Sequence, residues 1–317
     1  MANIKLLINA GTAFSASSPF HYTLCWDNRY AHTGHCKEHQ YLRGLEEGRE
    51  MCIDPTMTSG QYSDKRINRL LSGKSNKPTI LNADSPYVKN LWTQDEINEF
   101  FHSELHIDKY IRYYRKHWEN IKYDYQSVAD FSNQNGLLTK EFLLKIKDQI
   151  LEYFDVKVTI IARDPVNRAF SQYNRYVKKN PNDSIDFIDW DTFPNYSKIY
   201  KTHASVWGKD NVRLVVMEEL DNPVTQKQEL SHLSNFLGYD IVKVHENVYY
   251  PNMRSNFPKH KNLQDQYTDT HDIDQIMYDL CVQKRKDIYI EFQKTFGYTP
   301  TEWGNYETNL AVDKRRV

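Results

Sequence analysis

The sequence predicts an α/β protein with a central parallel sheet covered by helices on both faces. Three observations point to it. Short, almost uninterrupted apolar runs alternate with long stretches of helical period. Those runs lack the in–out alternation of a sheet wetted on one side, so they read as strands buried on both faces. No Ser/Gly-rich or Pro-rich run divides the chain, with Gly and Pro at 11 each in 317 residues, so one continuous domain is expected.

The strands come in order as Lys5–Ala10, a weaker Gln126–Asp130, then Val156–Ala162 and Val212–Met217. Helical stretches are predicted over Thr93–Lys122, Thr139–Phe154, Pro165–Lys179, Thr225–Leu237 and Asp272–Phe296. Strand–helix alternation of this kind builds a parallel sheet. Ligands of such sheets bind beyond the C-terminal ends of the strands. Hydrophobic residues make up only 39% of the chain, but 23 Tyr, 14 Phe and 6 Trp give the core its bulk.

Charge narrows the choice of function. Forty-one basic residues against 42 acidic ones leave a net charge of -1, which argues against a general nucleic-acid binder. A polyanionic small ligand is allowed if positive charge is gathered locally. Four scattered cysteines suggest a reducing compartment, and no signal peptide or membrane-length apolar run is legible, so a cytoplasmic protein without a membrane partner is expected. No sequence feature sets an oligomeric state.

The strongest local signal starts at the end of the third strand, Thr159-Ile-Ile-Ala-Arg163-Asp164-Pro165-Val-Asn-Arg168-Ala-Phe-Ser171-Gln-Tyr173. A buried strand carries Arg163 to the ligand edge, and Asp164 can cap a helix whose first residue is Pro165. Ser171 follows about two turns into that helix. An Arg fork and a Ser hydroxyl suit one phosphate; a structural ion pair is the plainer reading of an isolated Arg. The whole string resembles the 3′-phosphate-binding segment of the sulfotransferases that use 3′-phosphoadenosine 5′-phosphosulfate (PAPS). That resemblance implies a P-loop-like three-layer fold, with Arg163 and Ser171 on the donor's 3′-phosphate.

Other segments resemble the same family in the same order. They are Ala129-Asp130-Phe131-Ser132, the Tyr196–Asp221 stretch with its Trp, Gly, strand and Glu-Glu-Leu, then Phe236-Leu237-Gly238, and the closing 286–303 with Gly297 and Trp303. Residues 45–122 match little, and a helical, substrate-specific insertion is expected there within a single 1–317 domain. After the first strand, Gly11-Thr-Ala-Phe14-Ser15-Ala-Ser17-Ser18 has the position of a phosphate cradle. The family form there is Gly-x-x-Lys-x-Gly-Thr-Thr, so Gly11, Ser15, Ser17 and Ser18 are candidate ligands of the 5′-phosphosulfate. Phe14 stands in the Lys slot and Ala16 in that of the second Gly, a departure from the pattern.

Lys37 and Glu38, in His35-Cys36-Lys37-Glu38-His39, resemble the family's Lys-Glu stretch, whose Glu deprotonates the acceptor. A solvated Lys–Glu pair is the alternative. The crowded run His32-x-x-His35-Cys36-x-x-His39 lacks the second doublet of a closed zinc site, and no metal is expected. Ser72-Gly-Lys-Ser75 imitates the end of a P-loop, but Asn68 stands where its first Gly belongs. Arg254, Lys259 and Lys261 form a basic loop that could close over the nucleotide or lie on the surface.

The resemblance therefore implies sulfuryl transfer from PAPS to an acceptor hydroxyl or amine on a small molecule or saccharide, releasing adenosine 3′,5′-bisphosphate. Two alternatives stand beside it: a catalytically silent nucleotide-binding homologue, and a phosphoryl-transfer enzyme of related fold.

Overall fold

A computed structural model describes residues 3–11, 17–34, 39–49, 96, 99–100, 104–165, 168, 195–244, 283 and 286–303. Five strands form one sheet in the order β2-β3-β1-β4-β5, and every pairing is parallel. They are β1 (Ile4–Asn9), β2 (Ala31–His32), β3 (Ser127–Asp130), β4 (Phe154–Ala162) and β5 (Val212–Val216). The helices are α1 (Ser17–Tyr22), α2 (Tyr41–Glu46), α3 (Ile107–Ile121), α4 (Lys140–Leu151), α5 (Tyr196–Trp207), α6 (Met217–Asp221), α7 (Gln226–Leu237) and α8 (286–296). A π-helical turn, Thr23–Asp27, continues α1.

Alternate residues of each strand feed two cores, which makes three layers. Leu6, Ile8, Val156, Val158 and Ile160 point to one face, where α2 to α5 and α8 pack. Leu7, Ala129, Ile161 and Val215 point to the other, covered by α1, α6 and α7. The expected three-layer α/β architecture with helices on both faces is the observed one. The aromatic bulk is concentrated on the first face: Tyr41, Tyr110 and Tyr114 are wholly buried there, and Phe100 stacks on Tyr113 with ring centroids 4.0 Å apart.

Several boundaries differ from expectation for local reasons. The helix expected to run to Phe154 stops at Leu151, because a turn at Glu152–Tyr153 feeds Phe154 straight into β4. Within Thr93–Lys122 residues 104–106 are not helical, and His106 enters α3 in an extended conformation. Thr139 and Asn195 cap α4 and α5, each side chain accepting an N–H of the first turn. Most of 45–122 lies outside the described residues. Its last part, α3, contributes Tyr110, Ile111, Tyr113, Tyr114 and Ile121 to the core of the sheet.

The strand order creates a switch point. After β1 the chain runs towards β2 at one edge, and after β4 it runs towards β5 at the other. The crevice between the C-terminal ends of β1 and β4 is where a sheet of this kind receives its ligand.

Candidate functional site

Gly11 and Arg163 stand on the two lips of that crevice. β1 and β4 pair in register from Ile4↔Phe154 to Asn9↔Thr159, so Gly11 falls level with Ile161 and Arg163 lies two residues further out. The turn after β1 is shaped by Asn9, whose Oδ1 accepts the Gly11 N–H at 3.1 Å. The Nδ2 group of Asn9 is wholly buried and, among the described residues, has no hydrogen-bond partner. Gly136, buried in the short helical turn after β3, packs against this point. A Cβ there would sit 2.5 Å from the Ala10 carbonyl oxygen.

Arg163 is held with more side chains. The β4–β5 ladder ends at Ala162↔Val216, so the next backbone groups of β4 need other partners. Tyr196 of α5 supplies two: its hydroxyl donates to the Arg163 carbonyl at 2.9 Å and accepts the Arg163 N–H at 3.2 Å. Glu218 of α6 accepts the Asp164 N–H through Oε1 at 2.9 Å, and its Oε2 accepts the indole N–H of Trp303 at 3.0 Å. Tyr289 of α8 donates to the Asp164 carboxylate. Pro165 begins a helix, and the Asp164 carbonyl takes its first bond from the Arg168 N–H at 2.8 Å.

Charge is concentrated beneath this turn. Burial pushes the Glu218 carboxyl above the usual carboxylate range, while the N–H groups of Asp164 and Trp303 and the Arg163 guanidinium pull against it. Arg168 is buried beside them, and burial lowers its guanidinium to about 10, Tyr196 raising it and Arg163 adding to the depression. Two cations and two carboxylates therefore share one small volume at the end of β4.

A second buried network lies beside the crevice, at the end of β3. His39 Nε2 is 2.7 Å from the Tyr114 hydroxyl and 3.8 Å from Asp130, and Tyr110 donates to Asp130 at 3.0 Å. Burial lowers the His39 pKa, and Asp130 opposes the shift. Ser132 and Asn133 accept from Gln40, so the chain on the far side of Lys37–Glu38 is pinned at two successive residues, His39 and Gln40. His21 turns into the core, 2% exposed, with Nε2 at 3.4 Å from the Thr33 hydroxyl. His32 and His117 form a buried pair at 2.7 Å. Among the described residues no group of three or more His, Cys, Asp or Glu side chains is arranged to hold a metal. Nor, among them, is any helix long and apolar enough to cross a membrane.

The structure thus brings Gly11 and Arg163 to one crevice and places the backbone of Ser17 and Ser18 in the first turn of α1. Ser15, Lys37, Glu38, Ser171, Arg254, Lys259 and Lys261 lie outside the described residues. Sequence reasoning did not single out Asn9, the bonds that Tyr196, Glu218 and Tyr289 make to the Arg163–Asp164 turn, or the bond from Trp303 to Glu218. A buried Asn at the end of an apolar strand was the available signal for the first.

No protein-family model matches the chain, and no curated protein does. Solved structures do. The chain is similar to a sulfotransferase from Alicyclobacillus acidocaldarius, with 14% identity over 96% of this chain and all 100% of that one, at a TM-score of 0.51. It also matches the sulfotransferase domain of an olefin synthase from Synechococcus PCC 7002, with 18% identity over 74% of this chain and 73% of that one, at a TM-score of 0.45. The sulfotransferase domain from the curacin biosynthetic pathway matches with 14% identity over 75% of each chain, also at 0.45. The first likeness extends over both chains, and it shows that this protein has the α/β fold of a sulfotransferase.

Proposed function

We propose that this chain is a sulfotransferase that moves the sulfuryl group of PAPS to an acceptor hydroxyl or amine. The observation that carries the reading is the pair of strand ends at the switch point, with Gly11 on one lip and Arg163 on the other. The residues present fit an anionic nucleotide. Arg163 supplies a positive charge, and the buried Nδ2 of Asn9 is a donor without a partner among the described residues. Both are donors, as a phosphate requires.

In this reading Arg163, with Ser171, binds the 3′-phosphate, and the segment of Gly11, Ser15, Ser17 and Ser18 cradles the 5′-phosphosulfate. PAPS supplies the activated sulfuryl group and a stable leaving group. The protein's share is positioning and electrostatic stabilisation of charge that moves onto the 5′-phosphate. Glu38 takes the acceptor's proton, and Lys37 stands beside it in sequence. The acceptor is a small molecule or a saccharide.

Phe14, in the slot where the family carries Lys, favours a second reading: a homologue that binds the nucleotide without transferring sulfate. One assay separates the two. Purified protein is incubated with PAPS and a panel of hydroxyl and amine acceptors, and release of adenosine 3′,5′-bisphosphate is followed. Acceptor-dependent release is expected. Tight nucleotide binding with no release across a broad panel selects the silent reading, and no binding at all removes both.

A further inference from the structure

Five polar groups of the Arg163–Asp164 turn are satisfied, and side chains from three helices hold four of them. The Arg163 N–H and carbonyl meet Tyr196, the Asp164 N–H meets Glu218, and the Asp164 carboxylate meets Tyr289. Only the Asp164 carbonyl is used by the local helix. Glu218 in turn is tied to Trp303, whose ring is 1% exposed and packs on Phe292 at 4.5 Å, Tyr289 at 5.9 Å and Tyr196 at 6.1 Å. Tyr289, which holds the turn, and Trp303, which holds Glu218, both come from the 286–303 segment, more than a hundred residues along the chain from Arg163.

We propose that Glu218, Tyr289 and Trp303 are positioning residues for the anion site, fixing the Arg163–Asp164 turn so that the guanidinium meets a 3′-phosphate in one geometry. This rests on the reading of Arg163 as the 3′-phosphate ligand. They act through the turn and not on the nucleotide: Glu218 at the Asp164 N–H, Tyr289 at the Asp164 carboxylate, and Trp303 by way of Glu218. The physical reason is that Arg163 leaves the sheet just where ladder bonding stops. Without side-chain partners its turn would sample other conformations, and a displaced fork loses the paired bonds that distinguish Arg from a point charge. The carboxylate of Glu218 is needed as such, because it accepts two N–H groups. A Gln in its place offers one oxygen and turns its amide N–H₂ against the second donor.

Calorimetry tests the proposal. The affinities for adenosine 3′,5′-bisphosphate and adenosine 5′-monophosphate are measured for wild type, Tyr289→Phe, Trp303→Phe and Glu218→Gln, with a melting temperature for each. Loss of one hydrogen bond in a chain of charged partners should cut the preference for the bisphosphate by about tenfold, with monophosphate affinity unchanged within about twofold. A residue that serves packing alone would lower the melting temperature and leave the ratio as it is. An unchanged ratio, or parallel loss of both affinities, overturns the proposal. Wild type without a bisphosphate preference defeats the Arg163 reading itself, and the proposal with it. Hydrogen exchange on the wild type keeps the test independent of how the variants fold. Bisphosphate, and not monophosphate, should slow exchange across 286–303, and equal exchange with the two nucleotides overturns the proposal.

Discussion

Truncating Arg163 to Ala probes the proposed nucleotide site with little collateral damage. The backbone at this position is held by Tyr196 at both its N–H and its carbonyl, and Asp164 is held by Glu218, so the turn keeps its partners when the side chain goes. The electrostatic consequences can be signed. Arg163 lowers the pKa of both Glu218 and Arg168, so its removal lets Glu218 rise further and relieves Arg168. Arg163 is half-buried here, and a hydrogen-bonded charge partner that the ligand then covers costs about 2–5 kcal/mol when truncated. That is roughly thirtyfold to several-thousandfold in affinity. The loss should fall on adenosine 3′,5′-bisphosphate alone, because adenosine 5′-monophosphate has no 3′-phosphate to miss. Titration calorimetry of both nucleotides against both proteins gives the result directly. If Arg163→Ala keeps the wild-type preference between them, Arg163 does not read the 3′-phosphate.

Other perturbations address separate parts of the account. Glu38→Gln keeps shape and loses the proposed base, so turnover should fall by roughly 10²–10⁴ with nucleotide affinity unchanged; near-normal turnover moves the base elsewhere. Gly136→Ala would force a Cβ to 2.5 Å from the Ala10 carbonyl oxygen, and an unfolding titration should show a loss of about 1–3 kcal/mol. A change within about 0.5 kcal/mol would mean that the turn after β1 yields more easily than its packing indicates. His203 is buried with its pKa lowered to about 4, while its Nε2 meets the Asn135 carbonyl at 3.2 Å. Its folded pKa lies below the unfolded value, so its contribution is complete above about pH 6.5 and is lost as pH falls towards 4, at about 1.4 kcal/mol per pH unit. His32 and His39, also depressed by burial, act in the same direction, so denaturant unfolding at pH 7, 6 and 5 should show a fall that becomes shallower in His203→Gln by up to this amount.

What the sequence revealed depended on whether a feature is local. The strands β1, β4 and β5 were legible because burial on both faces leaves long apolar runs, and β3 was weaker because it is only Ser127–Asp130. The two-residue β2 carries no pattern of its own; it exists through parallel pairing of Ala31 with Ser127 and His32 with Val128. The short α2, with Gly44 inside it, is likewise set by its packing, Tyr41 being buried and donating to the His106 carbonyl at 3.1 Å. Arg163 was singled out because a strand end, a helix start at Pro165 and a family pattern coincide within one segment. Its supporting side chains were not, since Tyr196, Glu218, Tyr289 and Trp303 meet it only once the sheet order is known. Asn9 is similar: that its Nδ2 has no partner among the described residues is a fact of burial rather than of spacing.

The central claim is that the β1–β4 crevice binds the donor nucleotide, and a crystal structure with adenosine 3′,5′-bisphosphate tests it most directly. The 3′-phosphate should lie within hydrogen-bonding reach of Arg163, with the 5′-phosphate at the Gly11 turn. A cation should stand beside the 5′-phosphate in place of the Lys that Phe14 displaces, drawn from Lys37, Arg254, Lys259 or Lys261, since losing such a donor costs about 10²–10³ in rate. A bound nucleotide without a Lys, Arg or His near its 5′-phosphate would support a silent binder over an enzyme. A nucleotide seated away from the crevice, with Arg163 untouched, would contradict the account.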